Sequence, residues 1–213
     1  MSTPPRFDDA FRAQLADLLT WRRDVRTFRS DPLPEAVLGK LIAQAARAPS
    51  VGNSQPSRFV MVRSAERRRA LVAHVDAEQA AAGARYDAAR KAEYQRLKLH
   101  GLAECPVVIA VYCVRDPAEG AGLGRQTMPE ALVYSTVCAV HTLWLAARAE
   151  GIGLGWVSIL NPSTVTALLD IPADWHFVGL LCLGYPKADA DLPLLHTEGW
   201  QTRLAVDAMV IDR

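Results

Sequence analysis

The sequence predicts an α+β fold in one domain of the larger sort. Three observations lead there. The elements are mostly helical, with about four short strands among them. The length is 213 residues, and half of them are apolar, enough for a sizeable core.

Asp8 to Trp21 reads as a helix, because Phe11, Leu15, Leu18 and Leu19 fall at helical spacing. Val25 to Asp31 is irregular or extended. Pro34 opens a second helix, with Glu35 in its first turn and Val37, Leu38, Leu41, Ile42 and Ala45 as its apolar stripe, and Pro49 ends it. Ser50 to Pro56 is a loop of turn residues and amide side chains, followed by a short strand from Arg58 to Arg63. Ala65 to about His100 is helical, rich in Ala and Arg, and interrupted near Gly83; its polar middle suits a mobile lid. Val107 to Val114 is a continuous apolar run, expected as a central strand. Arg115 to Met128 is a Gly-rich loop. Pro129 starts a long, mostly apolar helix that runs to Glu150 and is closed by Gly151. Leu154 to Leu160 and Phe177 to Leu183 are further strands, separated by a short helix after Asn161-Pro162. Leu192 to Arg213 is a tail carrying Trp200 and Arg203. A helix that is apolar nearly all round must be covered on every side, so a homodimer is expected.

Bulk properties exclude some partners. A net charge of +1 argues against nucleic acid. The segment Met1 to Phe11 is polar and lacks the apolar region of a signal peptide, and no stretch is expected to span a membrane. Ala131 to Ala147 is uncharged but reads as a buried helix. Cys105, Cys113, Cys138 and Cys182 are scattered, which suits a reducing cytoplasm. Cys138 and His141 share a helix face, but a pair lacks the further ligands of a metal site, so packing roles and no metal are expected.

The most informative segment is Arg22-Arg23-Asp24-Val25-Arg26. It places three guanidiniums and one carboxylate where a helix ends and extended chain begins. Arginine's planar fork suits phosphate, and a carboxylate among cations can accept a proton beside a bound phosphorylated ligand. Gly120-Ala121-Gly122-Leu123-Gly124 sits between a strand and a helix, but Arg125 stands where a dinucleotide fingerprint needs glycine. Gly151-Ile152-Gly153-Leu154-Gly155 either lets a backbone approach something flat or turns a helix into a strand. Neither Ser50 nor Ser158 lies in a nucleophile-elbow sequence. Taken together, the arginines, the Ser50–Gln55 loop and the Gly153–Ser158 strand are expected to line one pocket. A phosphate clamp with hydrogen bonds to a polar ring edge suits flavin mononucleotide (FMN).

These residues resemble the nitroreductase-like flavoprotein family. The resemblance rests on Arg22-Arg23-Asp24-Val25-Arg26, Ala48-Pro49-Ser50 with Gln55-Pro56, Gly151-Ile152-Gly153 and Arg203, so it runs from about Leu18 to Arg203. It implies a mostly antiparallel central sheet flanked by helices, in an intertwined homodimer with FMN sites at the subunit interface. Longer stretches, Gly122 to Glu130, Glu150 to Leu160 and Gly199-Trp200-Gln201, are most similar to one branch of the family. In that branch reduced FMN is consumed as a substrate with O2, releasing 5,6-dimethylbenzimidazole, the lower ligand of cobalamin, and an erythrose phosphate. A separate flavin reductase supplies the FMNH2.

By that resemblance, Arg22, Arg23, Arg26 and Arg203 hold the phosphate and ring edge. Val25, Ser50 and Gln55 belong to the flavin pocket, Gly155 and Trp156 line its other edge, and Asp24 and Ser158 are the chemical pair. Ordinary nitroreductases commonly carry a neutral residue where Asp24 sits. Asn53-Ser54-Gln55-Pro56, with Ser57 after it, is closer to the general family loop than to that branch. Two alternatives stay open: an NAD(P)H-dependent nitroreductase or reductive dehalogenase, and a non-catalytic flavin-binding protein.

Overall fold

A computed structural model describes residues 3–213. Helix α1 (Asp9–Trp21) starts at Asp8, whose carboxylate accepts the Phe11 N–H at 2.8 Å. Then come α2 (Glu35–Ala45), β1 (Ser57–Met61), α3 (Ala65–Gly83), α4 (Ala88–Arg96), β2 (Val107–Val114), α5 (Ala131–Ala149), β3 (Gly153–Val157), α6 (Pro162–Leu168), β4 (Trp175–Gly184) and α7 (Leu194–Thr197). The predicted elements are all present, mostly within a few residues of their expected ends.

The four strands form an antiparallel sheet in the order β1-β2-β4-β3. The apolar run of β2 is explained by burial on both faces. Val108, Ala110 and Tyr112 join Leu180 and Cys182 of β4 in a core with Leu71 and Val75 of α3 and Val165 of α6. Ile109 and Val111 join Leu181 and Leu183 in a second core with Leu38 and Leu41 of α2 and Val140 and Leu143 of α5. Helices therefore cover both faces, and the strand pairing shifts register once, between Val111 and Tyr112.

α5 ends in paired backbone bonds, Ile152 N–H to the Ala147 carbonyl at 2.8 Å and Gly151 N–H to the Arg148 carbonyl at 3.0 Å. This helix is long and apolar enough, by length and composition, to cross a membrane, which corrects the expectation that no stretch is. One face is core, with Leu132, Val140 and Leu143 buried. The opposite stripe, Tyr134, Val137, Cys138 and His141, is open at helical spacing. The apolar stripe of α1 is open too, as are the tail residues Leu204, Val206 and Ile211.

Candidate active site

After α1 the chain turns and runs along the outer edge of β3. Asp24 bridges Leu154 in parallel, and the Val25 N–H donates to the Leu154 carbonyl at 3.0 Å. Asp24 Oδ1 accepts the Trp156 N–H at 2.8 Å, and Oδ2 accepts from Arg26 Nε at 2.8 Å. The segment thus closes the open edge of the sheet. It gets that close because of the glycines. A Cβ at Gly155 would overlap the Val25 carbonyl oxygen, and one at Gly153 would lie 2.8 Å from a Val25 methyl. The G-x-G spacing therefore serves the arginine segment. Of this strand's amides, the Trp156 N–H is taken by Asp24.

The three arginines have different fates. Arg23 donates to the Asp191 carbonyl at 3.0 and 2.7 Å, to the Arg22 carbonyl at 2.8 Å, and to the Thr20 carbonyl. Arg26 donates to Asp24 and to the Lys98 carbonyl, the latter at 3.0 Å. Both pin the backbone. Arg22 lies over the Trp144 ring at 4.6 Å, and among the described residues no hydrogen bond or ion pair involves its guanidinium. Trp144 is held in turn by donating its indole N–H to the Arg23 carbonyl at 3.2 Å, and it packs on Trp156 at 6.4 Å between centroids.

Burial first, then the like charge of Arg203, lowers the pKa of Arg22, with Asp24 opposing. Arg23 is lowered in the same order of causes, with Arg22 adding to Arg203. These cations are close enough to repel, and a bound anion relieves that repulsion. Arg203 itself is on the exposed tail. A cavity of about 330 Å³ opens here, lined by Asp24, Arg23, Arg26, Trp144 and Thr197 among others.

Ser50 and Gln55 do not reach this cavity. Ser50 Oγ accepts the Gln55 N–H at 3.1 Å, and the Gln55 amide donates to the Asn53 carbonyl at 3.2 Å. Asn53 and Gln55 take left-handed φ values of 55° and 45°. Ser50 and Gln55 line a separate cavity of about 360 Å³ with Arg58, Glu119 and Ser135. β1 and β3 are opposite edges of the sheet, three strand spacings or roughly 14 Å apart. Within one chain the residues expected to line a single pocket are thus divided between two cavities, one at each end of α5. The Gly-rich loop supports the second: a Cβ at Gly120 would lie 2.6 Å from the Gly52 carbonyl, so the two loops interlock backbone to backbone.

Ser158 is exposed and lies just beyond β3, which ends at Val157 and not at Leu160 as expected. The chain then turns, and the Asn161 N–H donates to His74 Nε2 at 2.9 Å. Sequence reasoning missed Trp144, which looked like one more apolar residue of α5. It also missed Gly179, without which the Trp156 indole has no seat. The contact of Lys98 with Arg26 runs through a backbone carbonyl and has no sequence signal at all.

Residues 19–185 match the model of the Nitroreductase family. The chain belongs to the nitroreductase family. A 5,6-dimethylbenzimidazole synthase from Rhodospirillum rubrum is 52% identical over 203 residues, covering 95% of this chain and 96% of that protein. A protein of the same name from Rhodobacter capsulatus is 49% identical over 201 residues, covering 94% and 97%. Oxidised iodotyrosine deiodinase, solved with FMN and 3-iodo-L-tyrosine, has the same fold, with a TM-score of 0.70 at 23% identity over 83% of this chain and 91% of its own. The antiparallel sheet with helices on both faces is thus the nitroreductase-like arrangement.

Proposed function

We propose that this nitroreductase-family chain is a 5,6-dimethylbenzimidazole synthase, acting with O2 on reduced FMN as one FMN-binding domain. The observation that carries the reading is the 52% identity across 95% of the chain with an enzyme of that name. The placement of Asp24 supports it: the carboxylate lines a cavity beside a cluster of cations, with its side chain 30% exposed.

Reduced FMN supplies the electrons that meet O2 and the ring carbons of the product. Arg22, which has no oxygen partner among the described residues, and Arg203 bind its phosphate. Arg23 and Arg26 hold the segment in place, and Val25 with Gly155 fixes its seat on β3. Asp24, with Oδ1 and Oδ2 each held at 2.8 Å, accepts protons without moving. Ser158 presents its hydroxyl from the end of β3, and Trp156 forms a wall beside Trp144.

Ser50 and Gln55 then contact the flavin across a homodimer interface. The open stripe of α5 and the separation of the two cavities within one chain support this arrangement. FMNH2 comes from a separate NAD(P)H-dependent reductase. Free thiols at Cys105, Cys113, Cys138 and Cys182 fit a cytoplasmic setting.

The test mixes the protein with FMN, an independent flavin reductase, NADH and air, and searches for 5,6-dimethylbenzimidazole by chromatography with mass detection. Product formed in step with FMN loss supports the synthase. FMN that only cycles, with fast NADPH oxidation on a nitroaromatic and no added reductase, identifies a nitroreductase instead.

A further inference from the structure

Two contacts flank α4, one near its start and one just past its end. Two residues past its end, the Lys98 carbonyl accepts from Arg26 at 3.0 Å, and Arg26 Nε is bound to Asp24 at 2.8 Å. In its first turns, the Arg90 guanidinium lies 3.6 Å over the Trp200 ring, and Nη2 donates to the Trp200 carbonyl at 3.2 Å. Arg90 Nη1 is steadied by Glu93 at 2.8 Å. Tyr86 and Tyr94 complete a box around Trp200, with centroids at 5.6 and 6.1 Å. Below it the tail hangs on α7, with Trp200 N–H and Gln201 N–H both donating to the Leu195 carbonyl at 2.9 and 3.1 Å.

Beyond Trp200 the tail is exposed through Arg213, so Trp200 is the last firmly seated residue before Arg203. Arg203 follows three residues later, and its charge opposes those of Arg22 and Arg23.

We propose that Arg90 is a positioning residue for the phosphate end of the flavin: by clamping Trp200 against α4 it sets where Arg203 stands opposite Arg22. The proposal rests on the reading of Arg22 and Arg203 as the phosphate site. A cation–π stack with one hydrogen bond to a carbonyl accounts for about a tenfold effect on a ligand that needs the clamped tail. Lysine at this position keeps the charge but loses the planar fork that stacks and donates together.

The experiment titrates wild-type protein, Arg90→Ala and Arg90→Lys with FMN and with riboflavin, which lacks the phosphate, following flavin fluorescence. The expected result is wild-type preference for FMN, about a tenfold loss of FMN affinity in Arg90→Ala, an intermediate loss in Arg90→Lys, and unchanged riboflavin binding in both. In turnover, KM for FMN rises and kcat holds. Equal losses for both flavins, a fall in kcat alone, or unchanged FMN affinity would overturn the proposal. Wild-type protein that binds both flavins equally overturns the phosphate reading itself, which separates the two failures.

Discussion

Replacing Gly155 by alanine puts a methyl group where the Val25 carbonyl oxygen lies. That oxygen belongs to main chain, so the whole segment has to move off β3. Two bonds go with it: the Val25 N–H to the Leu154 carbonyl, at 3.0 Å, and the Trp156 N–H to Asp24, at 2.8 Å. The first is a neutral bond of about 1 kcal/mol, and the second, to a carboxylate, is about 1.5–3 kcal/mol. Replacing glycine also restricts the unfolded chain, which offsets roughly 0.4–1 kcal/mol. The net loss is about 1.5–3.5 kcal/mol, or a melting point lower by roughly 3–14 °C for a chain of this size. Because Arg22 travels with the segment, FMN affinity should fall at least about tenfold, the equivalent of ~1.4 kcal/mol. Gly153→Ala is the milder comparison: its methyl meets only the Val25 side chain, at 2.8–3.0 Å, and no main-chain atom, so a small shift of that side chain relieves it at lower cost. Thermal melts followed by FMN titration decide the matter. A Gly155→Ala protein that melts and binds like wild type, or a Gly153→Ala protein damaged as much, refutes the reasoning.

Asp24→Asn keeps an oxygen for the Trp156 N–H and leaves Arg22 and Arg203 in place, so it should bind FMN and lose product by about 100-fold or more; product at the wild-type rate rules out the assigned role. His176 has its pKa lowered by burial and then by Arg115, so the unfolded chain takes up its proton first as pH falls. Stability should be full above the unfolded value of about 6.5 and should decline as pH drops below it. His176→Gln should flatten that decline in pH-dependent melts, and an unaltered slope removes this group from the account. Val137→Glu puts a carboxylate on the open stripe of α5 and should give monomers that bind FMN weakly. Sedimentation showing an intact dimer with full FMN binding would place the interface elsewhere.

Much of the fold was legible because each element has its own period or punctuation. Asp8 and Asn161 cap helices, and Val107 to Val114 matched the strand residue for residue. What stayed illegible depends on partners far along the chain. Arg22, Arg23 and Arg26 looked alike in sequence, yet Asp191 and Lys98 carbonyls take up Arg23 and Arg26 and leave Arg22 without a hydrogen bond among the described residues. The glycines of Gly151 to Gly155 pointed to a close approach, and only the structure names Val25 as what approaches. The apolar girth of α5 was read as needing cover on every side, and the chain itself covers one face of it. That Tyr134, Val137, Cys138 and His141 are the residues left open, and that the two cavities lie at opposite sheet edges, follows from packing alone.

The central claim is that the flavin is destroyed and not recycled. Its most direct measurement loads the protein anaerobically with one equivalent of FMNH2 per site, admits O2, and follows flavin absorbance together with 5,6-dimethylbenzimidazole. Dimethylbenzimidazole should accumulate while the absorbance of oxidised FMN fails to return. Full recovery of that absorbance with no dimethylbenzimidazole would contradict it.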